Sequence, residues 1–202
     1  MFIGIVLTVF AYLLGSISFA VVVSRAMDLP DPRSYGSGNP GSTNVLRTGS
    51  KKAAALTLLG DALKGFIAVF LVICIGKTFA VPQWTIPASA LFVFLGHLFP
   101  VFHGFKGGKG VATAAGVTFA LSWKLGAILL TIWLIVALGF KISSLAALIA
   151  AAGLMIGAFI FFGNSLLSWV LIMMTLLLIW RHKENISRLF CGQESEIKKT
   201  EN

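Results

Sequence analysis

Charged residues are scarce in this chain of 202 residues, at 11% of the composition against about a quarter in ordinary soluble proteins. Negative charge is scarcest, since seven Asp and Glu accompany 16 Lys and Arg and the formal net charge is +9. Hydrophobic residues make up 57%, and the mean hydropathy is +0.94. So little polar surface cannot cover that much apolar side chain, which argues against a soluble enzyme or a disordered chain. The composition predicts an integral membrane protein.

Cysteine is almost absent. Cys74 lies in an apolar run, Cys191 lies near the carboxyl end, and no Cys-x-x-Cys or Cys/His spacing is present. The sequence therefore indicates neither a disulfide scaffold nor a metal site or redox pair. The amino terminus has no basic residue before its apolar stretch, residues 2–24, and that stretch is too long for a signal peptide. We expect it to be a retained membrane span.

Seven apolar stretches predict an all-α protein with seven transmembrane helices. They cover residues 2–24, 53–75, 81–102, 111–121, 125–139, 145–162 and 166–180. The fourth is shorter than the ~20 residues that a perpendicular helix needs, and the breaks at 122–124 and 163–165 are brief. Merging across one break would give six spans, and merging across both would give five.

The distribution of basic residues distinguishes between five, six and seven membrane spans. With seven spans, 13 of the 16 Lys and Arg share one side of the membrane, only Lys77 and Lys124 lie on the other, and Lys64 lies within a span. Because cytoplasmic loops are enriched in Lys and Arg, the amino terminus is predicted outside and the carboxyl terminus in the cytoplasm. Six spans would export a tail with five basic residues. The positive charge thus reports topology and gives no reason to expect nucleic-acid binding.

Three polar segments share the predicted cytoplasmic side. They are YGSGNPGSTNVLR at residues 35–47, GHLFPVFHGFKGGKG at 96–110 and RHKENISR at 181–188. The first contains GxGxxG, but membrane spans flank it instead of a βαβ unit. The second resembles a P-loop that is one residue short and has Gly110 where a Ser or Thr binds magnesium. Neither segment predicts nucleotide binding.

Both glycine-rich segments are suited to phosphate groups. Glycines let consecutive backbone N–H groups converge on one oxyanion, and Arg47, Lys106 and Lys109 lie beside these two predicted nests. We expect Ser42 to cap a short helix on which Asn44 and Arg47 face the same way. The alternative is that the glycines only allow tight turns and the lysines only mark the cytoplasmic side. Three such segments on one face favour the phosphate site.

Other ionisable residues leave alternatives open. His182 and Asn185 are three residues apart, so a helix continuing from the last span presents both on one side, with His182 as a base or as a donor to phosphate. Asp61 and Lys64 lie at membrane depth in the second span. We expect them to pair with each other, and a role in shaping the site from below is the alternative. We interpret His97 and His103 as structural.

The strings GSGNPGSTNVLR, GHLFPVFHGFKGGKGVAT and RHKENISRL, with DALKG in the second span, resemble the bacterial acyl-phosphate:glycerol-3-phosphate acyltransferase family (the PlsY family). The resemblance extends over one domain, residues 1–191, followed by a polar cytoplasmic tail, 192–202. It implies transfer of a fatty acyl group from acyl phosphate to the 1-hydroxyl of glycerol 3-phosphate. The product is lysophosphatidic acid, in the first acylation of phospholipid synthesis.

The resemblance also implies a seven-helix fold in the bacterial inner membrane, a site facing the cytoplasm, no metal or cofactor, membrane lipid as surroundings, and a soluble partner enzyme that makes acyl phosphate. Motif positions imply catalytic roles for Arg47, Lys109 and His182, and substrate binding by Ser37, Asn39, Thr43, Asn44, Lys106 and Asn185. The HxxxxD dyad and the GxSxG elbow of other acyltransferases and hydrolases are absent, so no covalent acyl-enzyme is expected. The resemblance favours deprotonation by the substrate's own phosphate.

Two other classes of function remain as rivals. A transporter for an anionic metabolite would also place glycines and basic residues near helix ends, but it usually shows inverted repeats and helices broken at the bilayer midplane. No such repeat is visible in the sequence. A purely structural membrane subunit needs no clusters of Gly, Asn, Ser and Arg.

The orientation can be tested with single cysteines placed beside Ser37, Lys109 and His182 in a background without Cys74 and Cys191. All three are expected to react with an impermeant maleimide only from the cytoplasmic side, because basic loops are retained there. The measurement is labelling of intact cells against inverted vesicles. Labelling of any one motif from outside would contradict a site built from all three.

Overall fold

The helices of the chain are short and numerous. The structure is a computed structural model that describes residues 1–197, and within that range it contains helices and no strand. The α-helices are α1 (Phe2–Gly15), α2 (Phe19–Ala26), α3 (Ser42–Val45), α4 (Lys51–Thr78), α5 (Thr85–Leu98), α6 (Val111–Leu121), α7 (Trp123–Phe140), α8 (Ser143–Phe162), α9 (Leu166–Arg181) and α10 (Lys183–Phe190). The prediction of an all-helical membrane protein is confirmed.

The described helices provide between four and six candidate membrane spans. Four are long and apolar enough alone: α4, α5 extended to His103, α7 and α8. The pairs α1–α2 and α9–α10 are bent by 46° and 58°, and each can count as one broken span. Helix α6, with 11 residues, reaches only about 16 Å at 1.5 Å per residue, about half the hydrocarbon thickness. The count of seven spans and the orientation therefore remain predictions.

The first predicted span is broken between α1 and α2. Ser16 Oγ donates a hydrogen bond to the Tyr12 carbonyl, 2.9 Å away, and the regular helix stops one residue earlier, at Gly15. The Ile17 carbonyl inside the break accepts a hydrogen bond from Lys64 Nζ of α4 at 2.6 Å. Lys64 also lies 2.8 Å from Asp61 Oδ1, which confirms the expected ion pair. A buried lysine thus pairs with a carboxylate and also donates a hydrogen bond to a backbone carbonyl that lies in the break, outside both helices.

The chain divides into two compact units, residues 1–121 and 122–202. In the first unit, α1 packs closely against α5, and α4 packs closely against α6. At each crossing a glycine of one helix lies on the backbone of the other. A Cβ added at Gly15 or Gly96 would collide with the Val93 or Tyr12 carbonyl oxygen across the α1–α5 crossing. Membrane helices approach this closely where small residues face one another.

The α4–α6 crossing has the same construction. A Cβ at Gly65 would meet the Thr113 carbonyl, and a Cβ at Gly116 would meet the Ala62 carbonyl. Because the obstacles are backbone atoms, no side-chain rotation can relieve them. This crossing fixes the start of α6 against α4, and Lys109 lies two residues before that start.

In the second unit, α8 packs against both α7 and α9. The Ser168 hydroxyl at the start of α9 donates hydrogen bonds towards the Gly163 and Ala158 carbonyls, which end α8. Large apolar side chains point outwards, including Leu138 at 76% and Ile160 at 73% exposure. Apolar surface of this extent is tolerated when lipid covers it.

Gly116→Ala is expected to destabilise the protein by ~1–3 kcal/mol or to prevent folding, because the new methyl group overlaps the α4 backbone. The matched control is Gly139→Ala in α7, where an added Cβ has no neighbour within 4 Å. The measurement is the thermal unfolding midpoint in detergent, followed by tryptophan fluorescence. Equal midpoints for the two variants would contradict a backbone contact between α4 and α6.

Candidate active site

The first polar segment folds around the side chain of Asn44, which is 2% exposed. Its Oδ1 accepts a hydrogen bond from the Ser37 N–H at 3.1 Å, and its Nδ2 donates to the Pro32 and Tyr35 carbonyls at 2.7 and 3.2 Å. Both amide donors are therefore used within the loop. Asn44 holds the loop's shape, and this geometry does not favour the direct substrate contact expected from the sequence.

Arg47 lies next to the same centre. Gly36 has a positive φ of 58°, and a Cβ there would meet Asn44 Oδ1 and approach Arg47 Cδ to 3.0 Å. The expected proximity of Asn44 and Arg47 is thus found, with Gly36 as the residue that allows it. The Arg47 side chain is exposed. The loop therefore presents a guanidinium beside its buried amide anchor.

Ser42 does not cap α3. The helix begins at Ser42 itself and follows Gly41, and the Ser42 hydroxyl donates to the Ala54 carbonyl of α4 at 2.7 Å. The expected capping role is wrong because the hydroxyl acts as a donor to another helix. This bond ties the loop to α4. Thr43 is exposed on α3, and Asn39 is half-buried before it.

The backbone amides of this segment are turned inwards. The N–H groups of Ser37, Gly38 and Gly41 donate to Asn44 Oδ1, the Tyr35 carbonyl and the Asn39 carbonyl. These three amides are therefore not available to the anion nest that was expected in this segment. The glycines instead provide the positive φ values of 58° at Gly36 and 65° at Gly38.

The charge of Arg33 in this loop is already paired. Arg33 Nη2 lies 2.6 Å from Asp31 Oδ2, and hydrogen bonds from Arg33 lower the pKa of Asp31 to about 2. The same carboxylate raises the pKa of Arg33. The charge of Arg33 is therefore neutralised by its own loop.

The second polar segment uses its amides to end α5. The N–H groups of Gly107 and Gly108 donate to the Leu98 and His97 carbonyls, each at 3.1 Å. These carbonyls belong to the last turn of the helix and have no partner within it. Gly107 and Gly108 therefore do not contribute their amides to the nest expected in this segment, because these amides cap α5.

Two lysines lie in this segment, Lys106 and Lys109. Lys106 is exposed, and Lys109 is half-buried two residues before α6 begins at Val111. The first-turn amides of a helix have no intrahelical acceptor and carry a partial positive charge. A phosphate at this end of α6 would meet both those amides and the Lys109 ammonium. The positive potential thus comes from side chains and a helix end.

In the second unit, His182 lies at the bend between α9 and α10 and is 2% exposed. Its Nδ1 lies 2.8 Å from the Leu178 carbonyl oxygen. Because a carbonyl only accepts hydrogen bonds, Nδ1 carries a proton and Nε2 is the nitrogen that gains or loses one. The expected straight continuation of the last span ends at Arg181, since this bend starts a new helix.

Glu194 is a residue that the sequence analysis missed. Its carboxylate accepts hydrogen bonds from Asn185 Nδ2 at 2.5 Å, Ser144 Oγ at 2.8 Å and Arg188 Nε at 2.6 Å. Burial favours the neutral acid, but these three donors outweigh it and lower the pKa of Glu194. Asn185 is therefore held by the tail. The tail was expected to lie outside the domain, yet it packs on the second unit as far as Ile197.

The distance between partners explains why Glu194 was missed. Ser144 precedes it by 50 residues, so no local spacing connects the two. The only local signal is that Glu194 follows Arg188 by six residues, which is not a helical spacing.

Among residues 1–197 no three His, Cys, Asp or Glu side chains are arranged to hold a metal ion.

The sequence profile of the glycerol-3-phosphate acyltransferase family matches residues 5–192. Curated relatives with that name include one from Paraburkholderia xenovorans, 54% identical over 194 residues, with 96% of this chain and 91% of the relative covered. One from Burkholderia thailandensis is 56% identical over 199 residues, with 96% of each chain covered.

Two crystal structures are also similar to the chain. Both are of PlsY (YgiH), an integral membrane glycerol 3-phosphate acyltransferase, one in a glycerol 3-phosphate form and one in a lysophosphatidic acid form. The first has a TM-score of 0.88 at 40% identity, and the second 0.86 at 39%. Each alignment covers 96% of this chain and 94% of the other.

Proposed function

The chain belongs to the glycerol-3-phosphate acyltransferase family, and we propose that acyl phosphate is its acyl donor. The 1-hydroxyl oxygen of glycerol 3-phosphate forms a bond to the acyl carbon, and the bond from that carbon to the phosphate oxygen breaks. The products are lysophosphatidic acid and inorganic phosphate. The observation that carries the proposal is that the two glycine-rich segments carry the basic side chains Arg47 and Lys109. The amides of Ser37, Gly38, Gly41, Gly107 and Gly108 donate to acceptors within the protein.

Acyl phosphate suits such a site because it is already activated. A mixed anhydride has a good leaving group, so the protein needs mainly to hold two phosphate-bearing substrates that repel each other. Cationic side chains remove that repulsion. The absence of an HxxxxD dyad and a GxSxG elbow is consistent with direct transfer, without a covalent acyl-enzyme.

Arg47 and Lys109 have different parts in this proposal. A guanidinium makes two parallel hydrogen bonds to one phosphate, which orients it as well as neutralising it. Asn44 supports this by fixing the loop from which Arg47 extends. Lys109, beside the amino end of α6, provides a compact charge for the second phosphate or for the oxyanion that develops on the acyl carbonyl. Ser37, Asn39, Thr43 and Lys106 are proposed substrate contacts.

His182 and Asn185 are proposed to bind substrate through groups whose orientation is fixed. The Leu178 carbonyl sets the tautomer of His182, so that its Nε2 donates to phosphate when protonated. The proton of the attacking hydroxyl goes to the departing phosphate, which leaves as hydrogen phosphate. Glu194 keeps the Asn185 amide in place by accepting one of its hydrogen bonds.

The environment of the reaction is also proposed. The family, the apolar spans and the basic loops support a location in the bacterial inner membrane with the site facing the cytoplasm. Acyl phosphate then comes from a soluble enzyme that makes it. The lipid product enters the leaflet in which it forms.

The donor is tested by supplying purified protein and glycerol 3-phosphate with either palmitoyl phosphate or palmitoyl-CoA. Lysophosphatidic acid is expected from the phosphate at a rate at least 100-fold higher, because no site for a nucleotide handle is evident. The measurement is product formation from radiolabelled glycerol 3-phosphate, with Arg47→Ala as the inactive control. Equal rates with the two donors would show that the donor assignment is wrong.

His182→Gln separates binding from proton transfer. With a binding role, activity stays measurable, KM for glycerol 3-phosphate rises, and the pH dependence still follows the substrate phosphate. With a general-base role, kcat falls by ~10²–10⁴ and the low-pH limb changes form. We expect the first result. The measurement is a pH–rate profile at saturating substrates, with exposed Lys183→Gln as the control, and a large kcat loss at unchanged affinity would contradict it.

A further inference from the structure

A buried polar cluster lies beneath the second glycine-rich loop. It consists of Asp61 and Lys64 of α4 and His97 of α5, which are 3%, 1% and 7% exposed. Asp61 Oδ1 lies 2.8 Å from Lys64 Nζ and 3.5 Å from His97 Nδ1. Charges at membrane depth are costly unless they are paired, and Asp61 and Lys64 already pair. The pairing of these two charges does not by itself explain His97.

His97 connects this cluster to the loop in two ways. Its backbone carbonyl accepts the Gly108 N–H at 3.1 Å. Its imidazole ring also occupies the space where a side chain on Gly108 would begin, because a Cβ there would meet Nε2 and, at 2.9 Å, Cε1. The ring is therefore in contact with the residue that immediately precedes Lys109.

We propose that His97 is a positioning residue for acyl transfer. Its ring supports the backbone of Gly107 and Gly108, and this support sets the position of the next residue, Lys109. The inference rests on the proposed function of Lys109. Asp61 faces Nδ1 and fixes the rotation of the ring, so that the flat side chain supports the backbone of Gly108. Without the ring, the backbone of Gly107 and Gly108 can move towards α4. The Lys109 ammonium then moves away from the reacting phosphate or oxyanion.

Small displacements of this kind matter because catalysis depends on geometry. A charged group that is misplaced by about 1 Å costs as much as 10²-fold in rate. Residues that orient the ligands of a metal site contribute about 10–100-fold, and we expect an effect of similar size for a residue that positions a lysine. The expected effect of losing His97 is therefore on kcat, without a matching loss of folded protein.

The test combines His97→Ala, Gly108→Ala and the double variant. We expect His97→Ala to lower kcat at least tenfold and Gly108→Ala to be similarly impaired, because its methyl group overlaps the ring. In the double variant the methyl group enters the space that the ring has left. Its kcat is expected to be several-fold above that of either single variant. His103→Ala, in the same segment and half-buried, is the control and should stay within threefold of the parent protein.

A second measurement does not depend on activity. Hydrogen exchange of residues 104–113 should become faster in His97→Ala, while exchange in α7 stays unchanged. If the parent protein does not use acyl phosphate, the proposed donor fails and the exchange result still tests the support of the loop. If the parent is active, unchanged kcat, unchanged exchange, or a double variant no better than the single variants would overturn the proposal.

A folding failure of His97→Ala does not end the test. His97→Phe keeps a ring beneath Gly108 and removes the nitrogen that faces Asp61. The proposal then expects kcat to fall several-fold while the unfolding midpoint stays within a few degrees of the parent protein. A His97→Phe enzyme with the parental kcat would overturn the role of Asp61 in orienting the ring.

Discussion

Every backbone polar group inside the membrane must find its partner within the protein, and the structure depends on this constraint. Lys64 satisfies the Ile17 carbonyl at the break between α1 and α2. The amides of Gly107 and Gly108 satisfy the last carbonyls of α5. Glycine at the helix crossings has a separate effect, because it lets the backbones of α1 and α5, and of α4 and α6, approach closely. The positions of α5 and α6 follow from these contacts.

The same constraint explains how the phosphate-binding chemistry is divided. Amides that complete helix ends and turns cannot also bind an anion, so the glycine-rich loops act as rigid supports. Charge comes from Arg47 on a loop held by Asn44, and from Lys109 at the amino end of α6. In the second unit, Glu194 fixes Asn185 and a carbonyl fixes His182. The Asn185 amide and the His182 ring are thus oriented by hydrogen bonds within the second unit.

Sequence reasoning identified the helical class, the apolar stretches and the residues that carry the motifs, because hydropathy and residue type are local properties. It assigned the loop amides wrongly, since the acceptors for Gly107 and Gly108 lie at the end of α5, which stops at Leu98, whereas the predicted span continued to residue 102. The break at Ser16 was missed because Gly15, Ser16 and Ser18 are small residues that were counted within one apolar stretch. Glu194 and His97 depend on partners at long sequence separation, Ser144 and Asp61, and no spacing rule connects them.

The central claim is that both substrates are held together and the acyl group passes directly between them. Phosphate exchange tests it most directly: the protein is incubated with palmitoyl phosphate and radiolabelled inorganic phosphate, without glycerol 3-phosphate. Direct transfer predicts no label in palmitoyl phosphate, because no acyl-enzyme forms from which phosphate can return. Label that appears in palmitoyl phosphate at a rate near that of acyl transfer would contradict the account.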